Sequence, residues 1–533
     1  MDPAAEVELA ALRHQKAMNA VIDRGDSDVQ QFYNGTTVFM TGGSGFLGKQ
    51  LIEKLFRACK LKKMYLLMRS KKGKTMQERL NFMLQDPVFD MVREKQPHFA
   101  DKIVPVEGDV ADIRLGLSDK DLTMISQEVN VIFHMAATVR FDEHLKMATL
   151  INVRGTMEAL TLGKNCKKLK QFIHVSTAYC HATKERVDKE VLEQFYPTPM
   201  APDVIIRLVE TMDEERLNDI APNLIKGWPN TYTFTKAIAE EVVRTAAGDL
   251  PVCVVKPPIV VPCNYEPTPG WLDLGGLAGP SGIFLGVGLG VLHVFFVDGK
   301  KRLATVPLDY VNNAIIGAGW DSGERRKHGD RQIPVYTVAN EESLVNWDFY
   351  NNQMNTHCKK ICTPKAVWYC YLLETKNKAI YWFLTWLLQY IPAYVLDGIC
   401  AIIGKRPHNI SSFVKIYERV DKKAALYNYF LTSEWLFRDH NVKAMIKRMS
   451  PADRAIFNCD ITKIDFAEYT KIWCIGVKKY IIKDELQGSV AGLKKQKIFR
   501  VANIVFLALY FYVLWCIACT LFRVVSVIFN VIN

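Results

Sequence analysis

Residues 37–48 read TVFMTGGSGFLG. A short apolar, β-branched run, Val38–Met40, leads directly into Thr41-Gly42-Gly43-Ser44-Gly45-Phe46-Leu47-Gly48, and the residues beyond, to about Cys59, have the pattern of a helix. A strand, a glycine turn and a helix in that order let the backbone turn tightly and approach a pyrophosphate, which then rests on the helix N-terminus. The run fits GxxGxxG from Gly42 or GxGxxG from Gly43, and the sequence leaves both open. Gly42, Gly43, Ser44, Gly45, Phe46, Leu47 and Gly48 are all expected to line a dinucleotide.

Outward from this turn, β-rich runs alternate with helical patterns as far as about Val260, the signature of a parallel sheet with crossover helices. Val38–Met40, Met64–Met68, Ile103–Glu107, Val131–Phe133, Phe172–Val175 and Val252–Val255 are the six strand candidates. Between Cys263 and Gly290 glycines and prolines crowd together, which is loop chemistry where strand ends would meet a substrate. After about Asn351 the β pattern stops and the chain reads as helical. The predicted fold class is α/β: a Rossmann-type doubly wound parallel sheet, then a mainly helical C-terminal domain and a C-terminal transmembrane helix. The expected divisions are a helical extension over 1–36, a nucleotide-binding and catalytic domain over 37–350, a helical substrate domain over 351–490 and a membrane helix over 501–522.

The second strand ends in Leu66-Leu67-Met68-Arg69-Ser70-Lys71-Lys72, where an NAD enzyme would place an acid for the ribose hydroxyl. A carboxylate there would repel a 2′-phosphate, whereas Arg69 can pair with one, so NADPH is favoured over NADH. Gly108-Asp109-Val110 suits the adenine, with Asp109 and Val110 as contacts. In His134-Met135-Ala136-Ala137, the small Ala136 and Ala137 let a cofactor lie close, while His134 reads as a packed strand-end histidine. Asn152 opens Asn-Val-Arg-Gly-Thr on the following helix and completes the expected cofactor set.

Tyr232 and Lys236, in YTFTK, stand four apart and share one helix face. A nearby ammonium lowers a phenol's pKa, so Tyr232 is the expected proton donor to a carbonyl oxygen. Thr177, in HVSTAY at the end of the fifth strand, offers a hydroxyl to the same oxygen, with Ser176 as the alternative. The expected catalytic set is Thr177, Tyr232 and Lys236, the last two also contacting the cofactor.

Composition agrees with an enzyme of more than one domain. The 533 residues are 49% hydrophobic and 23% charged, which excludes a disordered chain, and the net charge of +12 suits an anionic partner. A phosphorylated cofactor and a membrane meet that need, and no nucleic acid is expected. The 13 cysteines lack the spacing of a disulfide framework or a zinc site, so no metal is expected. Cys516 and Cys519 read as small hydrophobes on a helix.

The N-terminus carries no secretory signal pattern. Val501 to Phe522 is uncharged and long enough to cross a bilayer, and Lys494, Lys495, Lys497 and Arg500 before it favour a cytosolic catalytic body. Val524 to Ile532 is also apolar, so the chain is expected to end in the lumen or fold back. Ala379 to Ile403 is apolar too, but Pro392 and Asp397 interrupt it, and an interfacial segment or the lining of an apolar tunnel is preferred to a second span.

TGGSGFLG, GDV, HMAA, NVRGT, HVSTAY, YTFTK and KPPIV occur in the order of the extended short-chain dehydrogenase/reductase family, which residues 37 to about 330 resemble. More narrowly, YLLMRSKKG, PGWLDL, VPLDYVNNAII, IPAYVLD, GKRPH, Trp435-Leu436-Phe437, FNCD and Ile464-Asp465-Phe466 with Tyr469 resemble the fatty acyl-CoA reductases over nearly the whole chain. One departure is Lys256-Pro257-Pro258-Ile259-Val260, where that family suggests Arg-Pro-Ser. Pro257 and Ile259 are still expected at the cofactor. The resemblance implies reduction of a long-chain acyl-CoA to a primary alcohol by two NADPH through a hemithioacetal and an aldehyde, with release of CoA. It implies a membrane in the endoplasmic reticulum, with the peroxisome as alternative, and leaves a homodimer open. The rival expectation is a membrane-bound sterol or other lipid dehydrogenase of the same superfamily.

Overall fold

Seven parallel strands form one sheet: β1 (Thr37–Thr41), β2 (Lys63–Met68), β3 (Ile103–Glu107), β4 (Val131–His134), β5 (Gln171–Val175), β6 (Val252–Lys256) and β7 (Val335–Thr337). Their spatial order is β7-β6-β5-β4-β1-β2-β3. The order reverses beside β1, and in such sheets ligands lie in the crevice outside the strand ends at the switch point. The structure is a computed structural model that describes residues 1–533 apart from 71–72, 344, 357, 407–411, 485 and 533, with the backbone alone for 358 and 527–532.

All six expected strands are present, each within one residue of its expected bounds. The seventh, β7, went unread because three residues beside Pro334 are too few to show a period. It pairs with β6, Val335 against Val254.

Helix α1 (Pro3–Arg24) starts where the Asp2 carboxylate accepts from Ala4 N at 2.9 Å and stops at Gly25, whose φ is 71°. It packs on the C-terminal helices around residues 451–456 and 466–476. Helix α2 (Phe46–Ala58) follows the glycine turn and buries Leu51, Ile52, Leu55 and Phe56 against the sheet, at about 1.5–3 kcal/mol per side chain. Helices α3 (Gly155–Asn165) and α4 (Thr231–Ala246) cover the sheet beside β4 and β5. Helix α5 (Leu308–Lys327) is buried continuously from Leu308 to Gly323. The sheet lies on one side of it, while Met445 and Met449 of the C-terminal part close on Gly317.

Beyond residue 350 the chain is mostly helical: α6 (Ile391–Ile403), α7 (Phe413–Leu431), α8 (Phe466–Gly476) and α9 (Ser489–Ile532). The β pattern does not stop entirely there. Leu373–Thr375 pairs with Val294–Phe296, and Leu436–Phe437 with Glu190–Val191. Buried polar bonds tie this part to the sheet. Lys54 on α2 donates to Glu266 at 2.6 Å and to the Ile456 carbonyl at 2.6 Å, while the Tyr469 hydroxyl donates to the Pro262 carbonyl at 2.7 Å. Helix α9 is continuous, so Val524 to Ile532 extends it rather than folding back. Within GKRPH, Pro407 and His408 lie outside the described residues, as do Lys71 and Lys72 of the basic turn.

Candidate active site

The glycine turn and α2 make the first wall of the cleft. Gly42 holds φ at +77°, and a Cβ on it would lie 2.7 Å from Ala136 N, while a Cβ on Gly48 would fall onto the Gly42 carbonyl and Gly43 Cα. Gly43 is restricted by the Leu66 side chain instead. The backbone therefore enforces the reading that starts at Gly42. Gly45 caps α2 without a side-chain acceptor, so the first N–H groups of the helix have no side-chain cap, and Ser44 and Gly45 beside them are exposed. Uncapped donors at the positive end of a helix dipole suit a pyrophosphate, and these residues fit a dinucleotide.

The same helical turn grips the glycine-rich loop. Phe46 stacks on Trp271 at 5.5 Å, and Lys49 Nζ bridges Asp86 at 2.9 Å and Asp273 at 3.0 Å. Residues 270–276 are thereby held beside the cleft.

Arg69 follows the end of β2 with its side chain 71% exposed, and its guanidinium is 3.9 Å from the Asp109 carboxylate. Asp109 accepts from Ala111 N at 3.0 Å, and Val110 is packed under α3, where its carbonyl lies against Gly155. Ala136 and Ala137 are half-buried at the end of β4. Thr41 Oγ1 accepts from Met135 N and Ala136 N at 3.2 Å and meets His134 Nδ1 at 3.0 Å. His134 is fully packed, and burial, with Lys236 as a lesser cause, pushes it down to about 3. It is the packed strand-end histidine expected.

Asn152 sits in a π-turn over Leu150–Arg154 and is buried. Its side chain accepts from Thr138 N at 3.0 Å and donates to Thr235 Oγ1 at 2.9 Å, joining the segment after β4 to α4. Pro257 turns its carbonyl to Thr177 Oγ1 at 3.3 Å and to Ala178 N at 2.9 Å, and Ile259 is half-buried in a short strand beside Thr305.

Helix α4 starts because Asn230 accepts from Thr233 N at 2.9 Å. It carries Tyr232 and Lys236 on one face toward the end of β5. Thr177 there is the hydrogen-bonding neighbour of the Tyr232 phenol. Ser176 points elsewhere, donating to Glu240 at 2.5 Å, so Thr177 is the hydroxyl beside the phenol. The ammonium does not act as expected from spacing. Lys236 Nζ donates to the Val175 carbonyl at 2.8 Å, and burial, which Glu240 partly opposes, pushes it down to about 8. Burial raises the phenol, with the Thr177 bond pulling weakly the other way.

Two features escaped the sequence reading. Glu240 stands four residues past Lys236, repeating the spacing from Tyr232, and is completely buried. It accepts from Ser176, from Cys180 Sγ at 2.9 Å and from Lys256 Nζ at 3.1 Å, with His181 Nε2 at 3.4 Å. Cys180, His181 and Glu240 lie close enough to hold a metal ion, but the Lys256 ammonium already supplies the cation that Glu240 needs. The second is an aromatic roof. Phe141 stacks on Tyr232 at 5.9 Å and meets Tyr427 at 5.2 Å and Phe430 at 5.3 Å, both from α7. No local pattern links residue 141 to residues almost 300 positions away.

Two families described as Male sterility protein match the chain, the nucleotide-binding one over residues 40–315 and the C-terminal one over residues 388–484. The chain is 36% identical to "Fatty acyl-CoA reductase wat" of Drosophila melanogaster over 92% of each chain. The chain belongs to the fatty acyl-CoA reductase family. It is also 35% identical to "Fatty acyl-CoA reductase 1" of Homo sapiens, over 87% of this chain and 88% of that one. This reductase is an oxidoreductase with a nicotinamide cofactor, and a sterol dehydrogenase is not favoured by these relatives. Its fold is shared with a reductase domain of a Mycobacterium tuberculosis nonribosomal peptide synthetase, at TM-score 0.54 and 20% identity over 86% of this chain and 96% of that one. The terminal R domain of the myxalamid pathway matches at TM-score 0.53 and 20% identity, over 84% and 91%.

Proposed function

We propose that this reductase converts long-chain fatty acyl-CoA to the primary alcohol, consuming two NADPH and releasing CoA. The observation that carries the reading is the Thr177–Tyr232 pair beside the glycine cleft, under an aromatic roof supplied by the C-terminal part.

Gly42, Gly45 and Gly48 would hold the pyrophosphate, Arg69 the 2′-phosphate and Lys236 the nicotinamide ribose. Bound there, the nicotinamide supplies hydride to the substrate's carbonyl carbon in each of two reductions. Thr177 and Tyr232 orient the carbonyl oxygen, and the Tyr232 phenol gives it a proton. The first reduction yields a hemithioacetal, which expels CoA as the thiol and leaves an aldehyde. A second proton at the same oxygen completes the alcohol. The phenol, with Thr177 beside it, can donate at each step, taking a proton back from solvent between the two.

Residues 351–490 are proposed to receive the acyl tail, and α9 to anchor the enzyme with its body in the cytosol, at the endoplasmic reticulum in preference to the peroxisome. A tail worth about 0.8 kcal/mol per buried methylene partitions into lipid, so a membrane-held enzyme meets its substrate there.

The test is incubation of the purified full chain with NADPH or NADH and a ladder of acyl-CoAs, with alcohol, aldehyde and free thiol measured. Alcohol from long chains with NADPH, two cofactors oxidised per thiol released, is the expected result. No alcohol from any acyl-CoA would overturn it.

A further inference from the structure

The apolar segment 378–403 forms one continuous helix, Lys378–Thr385 running through a π-turn at Trp386–Tyr390 into α6. It does not line an interior channel, because Trp382, Phe383, Tyr394, Val395, Ile402 and Ile403 are more than half exposed. Such a bare apolar surface needs a cover.

Helix α9 indicates what the cover is. Along its apolar run only Asn503, Leu507, Tyr510 and Leu514, spaced to share one face, are partly or fully covered up to Leu514, apart from Ala502 beside them. Trp368 Nε1 donates to Asn503 at 2.9 Å, and the Tyr510 hydroxyl donates to the Leu387 carbonyl at 2.8 Å. Tyr510 lies about 14 Å past Val501 at about 1.5 Å per residue. A helix that crosses a bilayer from Val501 thus carries Tyr510, and with it the middle of the 378–403 helix, below the headgroups.

Both ends of that helix nevertheless return to the body. Leu373–Thr375, just before it, pairs with Val294–Phe296. After it, α7 packs back on α6, the Tyr417 hydroxyl donates to the Val291 carbonyl at 2.9 Å, and Tyr427 and Phe430 reach Phe141 over Tyr232. Asp397, the charge that argues against a lipid location, is fully engaged: it accepts from Ser412 Oγ at 2.7 Å, Phe413 N at 3.1 Å and Val414 N at 3.2 Å, and pairs with Arg406 at 3.0 Å. A carboxylate satisfied in this way is tolerated at a membrane surface. Exposed Lys405 at the end of the helix suits anionic headgroups.

We propose that residues 378–403 form a re-entrant element embedded in the leaflet on the body's side, beside α9, and that α7 leads the acyl chain from there toward Tyr232. This rests on α9 being the membrane anchor.

The experiment uses the full chain in sealed phosphatidylcholine vesicles with an anionic lipid fraction, bodies outward, containing a phospholipid that carries a photoactivatable diazirine in its acyl chain. Peptides are mapped by mass spectrometry, and an impermeant amine reagent reports Lys376 and Lys405 from outside. Expected are lipid adducts on both 378–403 and 501–522, with both lysines reached. Adducts on 501–522 alone overturn the re-entrant element while leaving the anchor standing. Adducts on neither overturn the anchor reading, and this proposal with it. Lys405 shielded while Lys376 reacts means a crossing, which also overturns it. In a second arm, Ile399→Glu with Ile402→Glu is expected to raise KM severalfold for a long acyl-CoA presented in vesicles, leaving kcat/KM for a short soluble acyl-CoA unchanged. Equal effects on both substrates would overturn the role in delivery.

Discussion

Glu240 Oε2 lies 3.1 Å from Lys256 Nζ, and both side chains are shut off from solvent. The pair joins α4, which carries Tyr232 and Lys236, to the end of β6, where Pro257 braces Thr177. Burial alone would neutralise Glu240, but Lys256 and His181 outweigh it and hold the carboxyl well below its usual range.

Removing one partner leaves a buried charge uncompensated. Lys256→Met is expected to destabilise the fold by about 3–5 kcal/mol, read as a lowered midpoint in denaturant. A change under a third of that size would mean that water or a rotated side chain replaces Lys256.

Tyr232→Phe keeps the ring and its stack on Phe141 but removes the proton. Turnover is expected to fall about 10²–10⁴-fold, with nicotinamide affinity, measured by fluorescence titration, nearly unchanged.

The pH profile follows from Lys236, pushed down to about 8 by burial against the partial support of Glu240. A depressed lysine carries its charge below its folded value and loses it as pH rises through that value. Nicotinamide binding that uses the ammonium should therefore weaken as pH rises through about 8. Glu240→Gln removes the supporting charge, so the alkaline limb should move to lower pH; a limb that moves up, or stays, contradicts the assignment.

At Gly42 a side chain meets two obstacles, the φ of +77° and the backbone of Ala136. Gly42→Ala is expected to weaken nicotinamide binding by about tenfold or more, since the left-handed region alone costs roughly 1–2 kcal/mol.

Arg69→Ala separates the cofactors. Loss of a charge-assisted bond of about 1.5–3 kcal/mol should cut kcat/KM with NADPH by roughly 10–100-fold, with NADH little changed. Equal losses with both would show that Arg69 serves the fold rather than the phosphate.

The six strands and the glycine turn were legible because their signals are local: a short β run with turn chemistry at its end fixes a strand whatever surrounds it. Thr177, Tyr232 and Lys236 were legible as residues for the same reason, but what they do to one another was not. Four-residue spacing placed the ammonium and the phenol on one face, and β5 then drew the ammonium to the Val175 carbonyl. The first glycine of the motif was ambiguous for a similar reason, since only contact with Ala136 distinguishes Gly42 from Gly43.

By itself, then, the sequence determined six of the sheet's seven strands, the glycine turn and the apolar character of residues 379–403 and 501–522, each of which is written within one short continuous segment. Only the tertiary structure decided that Glu240 and Lys256 pair, that Phe141 roofs Tyr232 with rings from α7, and that the 378–403 helix lies exposed against α9. Each of these depends on which segments the sheet and its helices bring side by side, and burial then sets the charge states, because desolvation is a property of the assembled surroundings and not of the residue.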